Sequence, residues 1–255
     1  MTESEWETAY LLRNETMKRR LLDAMARGHS SRKQDATNIQ GIRKIGSVIE
    51  NAVVFNIRNW NVDHNPMPAN SLLDSVEALF ALLGKRGIEY VLAGGIALLQ
   101  YVEGRNTEDL DLLMASAELE RMPEIELSSQ DANFARGAFQ GLQIDILLTS
   151  NPLFKKVQRD HVAAHHFLDR EIPLATVEGL LLLKLYALPS LYRQGNFPRV
   201  GLYENDIATL LHAYGPDTAP LLDTLAEHIS QNDLAEIVTI LSEIKERIRR
   251  FRRQE

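Results

Sequence analysis

The stretch that most constrains this chain runs from residue 90 to residue 114, YVLAGGIALLQYVEGRNTEDLDLLM. Its opening, Tyr90 to Ala93, is an apolar run short enough for a buried strand, and it breaks at Gly94-Gly95. An apolar segment from Ile96 to Val102 has room for about two helical turns. A polar turn, Glu103 to Glu108, then leads to a second short strand carrying Asp109 and Asp111. Residues two apart on a strand share a face, so these carboxylates stand together while Leu110 and Leu112 face a core. Adjacent like charges repel unless a cation lies between them. Hard oxygen donors suit Mg²⁺ or Mn²⁺, and Mg²⁺ pairs carboxylates with phosphate oxygens and water. The glycine pair lets backbone approach a ligand, and a helix start offers N–H groups to an anion. Each half is commonplace alone, a tight turn or a solvated strand end. In this order they suit a nucleoside triphosphate.

The remaining chain supplies the frame for that unit. With 255 residues, 45% of them hydrophobic, it can bury one substantial core and a smaller appended unit. A formal net charge of −7 argues against broad, nonspecific coating of nucleic acid, while leaving room for a local basic groove. The absence of cysteine excludes a disulfide framework and thiolate metal sites. No apolar run is long enough to span a membrane, and MTESEWETAY lacks the basic and apolar regions of a signal peptide. A cytoplasmic protein without a membrane partner is the expectation.

Along the chain, residues 3 to 27 carry apolar positions at helical spacing, among them Trp6, Tyr10, Leu11, Leu21 and Met25. Residues 28 to 70 read as linker and connector, with His64 exposed. From Ser71, Leu72, Val76, Leu79, Phe80 and Leu83 repeat on one face, predicting a helix capped by Ser71 and closed by Gly87. Ala115 to Met122 predicts a short helix, and Pro123 to Gln140 one or two strands, residues 133 to 140 foremost. A turn at Gly141 leads into GLQIDILLT, a strand built around one acid, Asp145. A lone carboxylate is costly to bury, so Asp145 is either salt-bridged or chemically employed.

His161 and His165 share a face if their segment is helical, but no HExxH accompanies them and a histidine metal site is not expected. FLDREIPLA predicts an edge strand ending at its proline. Residues 176 to 188 predict a buried helix capped by Thr176, in which Lys184 either snorkels outward or points inward at a negative partner. The following PSLYRQGNFPRVG predicts a loop with Tyr192, Arg193 and Arg199 available to phosphate or base. Residues 203 to 215 predict a helix, and 218 to 252 two more, separated near Asn232-Asp233 and ending in a basic run after Ile244. That run either complements the helix dipole or offers a patch to RNA.

GGIA followed by RNTEDLDLL resembles the signature of the DNA polymerase β-like nucleotidyltransferase superfamily, and within it most resembles the AbiEii/AbiGii-type toxin nucleotidyltransferases. The resemblance implies an α/β (α+β) core with a small mixed sheet flanked by helices, plus a helical C-terminal region and an N-terminal helical extension. The corresponding divisions are 1–69, 70–174 and 175–255. It implies Gly94 and Gly95 at the triphosphate, with Arg105 and Thr107 beside it, and Asp109 and Asp111 as ligands to Mg²⁺ or Mn²⁺. A third carboxylate is implied on a later strand, for which Asp145 is the candidate. Lys184 is implied to face the nucleotide, and Asp206 matches the first acid of a (K/R)DxxD helix. Asn205 stands where Lys or Arg is usual and Thr209 where the second acid belongs. The first 25 residues resemble the toxin-binding tail of Phd/YefM antitoxins, without the DNA-binding part. The implied activity is metal-dependent transfer of a nucleoside monophosphate from a nucleoside triphosphate to a hydroxyl on RNA, tRNA or protein, with an antitoxin protein as a further partner. A small-molecule acceptor shares the same core. The competing expectation is a catalytically impaired protein of this fold that acts as a binding partner.

Overall fold

A computed structural model describes residues 69–102, 107, 109–167 and 170–252. By internal contacts the chain divides into Met1–Asn38 and Ile39–Glu255, and all of these residues belong to the second unit. The helices expected over residues 3 to 27, the antitoxin-like tail, His64 and Arg105 lie outside the described residues.

The first described helix, α1 (Ala69–Arg86), buries Val76, Leu79, Phe80 and Leu83. It begins two residues before Ser71, which therefore sits in its first turn and does not cap it. Gly87, at φ +58°, closes it as expected, with the Gly87 and Ile88 amides donating back to the carbonyls of Gly84 and Leu83. Then follow β1 (Tyr90–Ala93), α2 (Gly94–Leu98), β2 (Asp109–Met114), α3 (Ser116–Glu120), β3 (Glu126–Gln130), β4 (Phe134–Phe139) and β5 (Leu142–Leu148). Next come α4 (Pro152–Asp160), β6 (Val162–Phe167), β7 (Arg170–Ala175), α5 (Val177–Arg193), α6 (Phe197–Tyr214), α7 (Ala219–Ala226) and α8 (Gln231–Arg252).

The described strands form one mixed sheet in the order β3-β4-β5-β2-β1-β7-β6. Strand β2 is central, antiparallel to β1 and parallel to β5, and Leu110, Leu112, Leu113 and Met114 are fully buried in it. The β4–β5 hairpin turns at Gln140-Gly141, both in left-handed conformation at φ 49° and 83°, as a tight two-residue hairpin turn requires. The Ser75 hydroxyl of α1 donates to the Gln140 carbonyl at 3.0 Å and ties that turn to the helical layer. Among the described residues, no helix is long and apolar enough to cross a membrane.

Several expectations are corrected. The helix after the glycine pair is five residues long and begins on Gly94 itself, whereas residues 96 to 102 were predicted. His161 and His165 do not share a helix face, because α4 ends at its cap residue His161 and His165 lies on β6. Asn151 and Pro152 start that helix early, the Asn151 side chain accepting from the amides of Leu153 and Phe154, and the chain extends again to pair with β7. Strand β7 is no edge, since it lies between β6 and β1, although Pro173 sits within it and its registered pairing with β1 is confined to Leu92–Leu174.

Helix α5 is capped by Thr176, whose side chain accepts from the Gly179 amide, and it runs on through Pro189 to Arg193. The predicted loop thus shrinks to residues 194–196, leaving Tyr192 and Arg193 in α5 and Arg199 in the first turn of α6. The last two helices are separated by residues 227–230, so Asn232 and Asp233 fall inside α8. There the Ser230 hydroxyl accepts from the Asp233 amide at 3.1 Å, the arrangement of a helix N-cap.

Candidate active site

Strand register assembles the site. Ala93 pairs with Asp111, Asp111 with Asp145, Asp145 with Arg136, and Arg136 with Ser129, so one row crosses five strands from β1 to β3. All five residues line a cavity of about 780 Å³ between the sheet and helices α5 and α6. Asp109 stands two residues along β2 from Asp111, partly exposed.

Asp111 is the most constrained acid. Its carboxyl is pushed up to about 7, by burial first and then by the negative charges of Asp109 and Asp145, while Lys184 and the Gly95 amide oppose the shift. Gly94 is required beside it for two reasons. Its φ is +61°, a left-handed conformation, and a Cβ at this position would meet the Asp111 Oδ2 at 1.7 Å. Gly95 makes room differently, since a Cβ there would lie 2.7 Å from the Cβ of Thr107. The Thr107 hydroxyl in turn donates to Asp109 Oδ1 at 2.7 Å. The glycine pair therefore admits the side chains that hold the acids in place. Gly94→Ala is expected to lower stability by about 1–3 kcal/mol and to turn Asp111 out of its position, read as an earlier denaturant midpoint together with weaker Mn²⁺ binding.

Asp145 has a partner that the sequence reading did not identify. The Arg136 guanidinium grips it with two bonds, Nε to Oδ1 at 2.6 Å and Nη2 to Oδ2 at 2.5 Å. Arg199 approaches the same group, its Nη2 lying 3.8 Å from Asp145 Oδ2 and 4.0 Å from Asp109 Oδ2. The signal for Arg136 was present. A two-residue turn at 140–141 sets Phe139 opposite Leu142, and counting back from it puts Arg136 opposite Asp145.

Lys184 points inward at a negative partner, which is Asp206. Its Nζ lies 2.7 Å from Asp206 Oδ2, with side-chain exposures of 6% and 1% respectively. The ammonium also stands 4.5 Å from the centroid of the Tyr203 ring, whose hydroxyl is pushed up to about 12 by burial first and then by Asp111. Tyr203 is a second cavity residue that sequence reasoning missed. Asn205 is exposed, and the Thr209 hydroxyl donates to the Asn205 carbonyl at 2.7 Å. Of the predicted substrate loop, Arg199 faces the acids, Arg193 pairs with Asp233, and the Tyr192 hydroxyl bonds Glu204. His165 packs edge-on against Tyr101, a structural contact.

The donor set bears on a metal. Asp109 and Asp111 offer hard oxygens on one face, and the half-buried Asp111 carboxyl, crowded by Asp109 and Asp145, favours a cation beside it, so this pair fits Mg²⁺ or Mn²⁺. Among the described residues, however, no three His, Asp or Glu side chains are gathered so as to hold an ion. Both Asp145 oxygens are engaged by Arg136.

No protein-family model and no curated protein matches the chain. Among solved structures, similarity is found to an antigenic nucleotidyltransferase-like protein from Paracoccidioides brasiliensis, at 16% identity and a TM-score of 0.40, covering 80% of this chain and 94% of that one. The complex of ANT(2″)-Ia with adenylyl-2″-tobramycin is similar at 11% identity and a TM-score of 0.39, covering 68% and 95%. The same antibiotic-resistance factor in solution gives 10% identity and a TM-score of 0.42, covering 71% and 97%. At these scores the likenesses do not bear on what this chain does.

Proposed function

We propose that this chain is a metal-dependent nucleotidyltransferase that moves a nucleoside monophosphate from a nucleoside triphosphate to a hydroxyl acceptor. The observation that supports it most is Asp111, a half-buried carboxylate seated against Gly94 and in register with a second acid at the cavity wall. In the proposed reaction the acceptor oxygen attacks the α-phosphorus, the bond to the bridging oxygen breaks, and pyrophosphate leaves. Asp109 and Asp111 would hold a divalent cation, which when bound supplies charge neutralisation to the phosphates. Thr107 fixes the Asp109 rotamer through its hydroxyl. Arg199, within 4.0 Å of Asp109, carries positive charge toward the departing pyrophosphate. Asp145 takes the proton of the attacking hydroxyl once Arg136 yields it.

The cavity's acids Asp111, Asp131, Asp145 and Asp233 face Arg136, Arg193 and Arg199, the charge of Lys184 being taken up by Asp206. The three arginines offer guanidinium forks to a phosphate-bearing acceptor such as RNA or tRNA. The resemblance to AbiEii/AbiGii proteins adds a cellular role, the toxin of a toxin–antitoxin system with an antitoxin partner. A second reading, a nucleotide-binding partner without turnover, is favoured by one observation: Lys184 is held by Asp206 and Asp145 by Arg136.

The test uses purified protein, Mg²⁺, each of four α-labelled nucleoside triphosphates in turn, and bulk tRNA and protein as acceptors. Label on RNA or protein, absent with Asp109→Ala/Asp111→Ala, is the expected result. The absence of label with every nucleotide and acceptor moves the conclusion to the partner reading.

A further inference from the structure

Three carboxylates converge in the register row and beside it, yet a different side chain already neutralises one of them. Arg136 and Asp145 face each other across the β4–β5 hairpin, and the tight turn at Gln140-Gly141 leaves them no other register. Their contact is a fork of two charge-assisted bonds at 2.6 and 2.5 Å, the geometry in which a guanidinium holds a carboxylate most firmly. The Asp145 side chain is only 16% exposed, although the Arg136 side of the pair meets solvent. Arg199, at 3.8 Å, adds a second positive charge to the same oxygen. Asp109 and Asp111 have no such fork. Their described contacts are the Thr107 hydroxyl, the Gly95 amide and the long approach of Arg199.

We propose that Arg136 is a positioning residue that withholds Asp145 from the metal site, so that the nucleotide-free protein binds one divalent ion, at Asp109 and Asp111, and not two. The proposal rests on the reading of that acid pair as a cation site. Charge supports it. Asp109, Asp111 and Asp145 set against Arg136 and Arg199 leave one net negative charge, which a single divalent ion already overcompensates. Remove the Arg136 guanidinium, and the net charge becomes two negative, which one divalent ion no longer overcompensates, while both Asp145 oxygens are released beside Asp111 as ligands for a second. The Arg136 side chain is 47% exposed and adds little to the core, so its loss changes the charge of the site more than the fold.

The experiment counts bound Mn²⁺ by electron paramagnetic resonance of the free ion, without nucleotide, on the full chain. Wild type is expected to bind one ion, and Asp145→Asn also one, because Asp145 is not a ligand in this state. Arg136→Gln is expected to bind two, the second at least tenfold more tightly than any further ion in wild type. Arg136→Gln/Asp145→Asn returns the count to one. Two ions in wild type, loss of the ion in Asp145→Asn, or a count of one in folded Arg136→Gln overturns the proposal alone. No ion in wild type overturns it together with the reading on which it rests.

Discussion

Asp111→Asn should stabilise the metal-free protein at pH 8 while abolishing nucleotidyl transfer. The Asp111 carboxyl sits at about 7 against a usual 3.8, raised by burial and then by Asp109 and Asp145. Between those values the folded chain keeps a proton that the unfolded chain has released, so stability falls as pH rises through the window. By pH 8 the charge has been forced on the folded state, at a cost of about 4 kcal/mol relative to a carboxyl of ordinary affinity. An amide carries no such charge. In chelator at pH 8 the variant should melt higher than wild type, by an amount on the order of 10 °C. The gap should close toward pH 4, and saturating Mn²⁺ should raise wild type but not the variant. A variant that melts below wild type at pH 8 would show that the carboxylate is stabilised by its surroundings and needs no cation.

The second large effect concerns Lys184. Its ion pair with Asp206 is almost wholly enclosed, and removing one member of such a pair strands the other. Lys184→Met is expected to cost about 3–5 kcal/mol in denaturant unfolding, far more than an exposed pair would. Lys184→Met/Asp206→Leu, which removes both charges at similar volume, is expected to recover most of that loss. The same double variant separates two roles of the lysine. If Lys184 only braces α5 against α6, triphosphate affinity survives in the refolded double variant; if it also serves the nucleotide, affinity falls while stability holds. A single-variant cost below about 1 kcal/mol would mean that the pair is solvated.

Much of this site was legible because strand period is rigid. Asp109 and Asp111 share a face by count alone, and the apolar residues between and after them fill the core. The α/β architecture was implied by the resemblance carried by GGIA and RNTEDLDLL, and a mixed sheet flanked by helices is what the described residues form. The room that the glycines leave for Asp111 and Thr107 was not legible, because a glycine pair looks the same whether it admits a ligand, a neighbouring side chain or both. The partner of Lys184 lay 22 residues away on another helix, a contact fixed by the packing of α5 on α6 and by no local pattern. Arg136 was within reach of the hairpin count, since the turn at Gln140-Gly141 fixes it opposite Asp145. The histidine spacing was uninformative for another reason. A spacing of four is informative only after helix has been established, and Asn151-Pro152 starts α4 early enough that it ends between the two.

The most direct test of the central claim, that Asp109 and Asp111 hold a divalent ion for a triphosphate, is a calorimetric titration of a non-transferable nucleoside triphosphate analogue into wild type and Asp109→Asn. Each titration is run with Mn²⁺ and again in chelator. Binding to wild type that requires Mn²⁺ and weakens at least hundredfold in Asp109→Asn is the predicted result. Equal binding in chelator, or binding indifferent to Asp109→Asn, would contradict it.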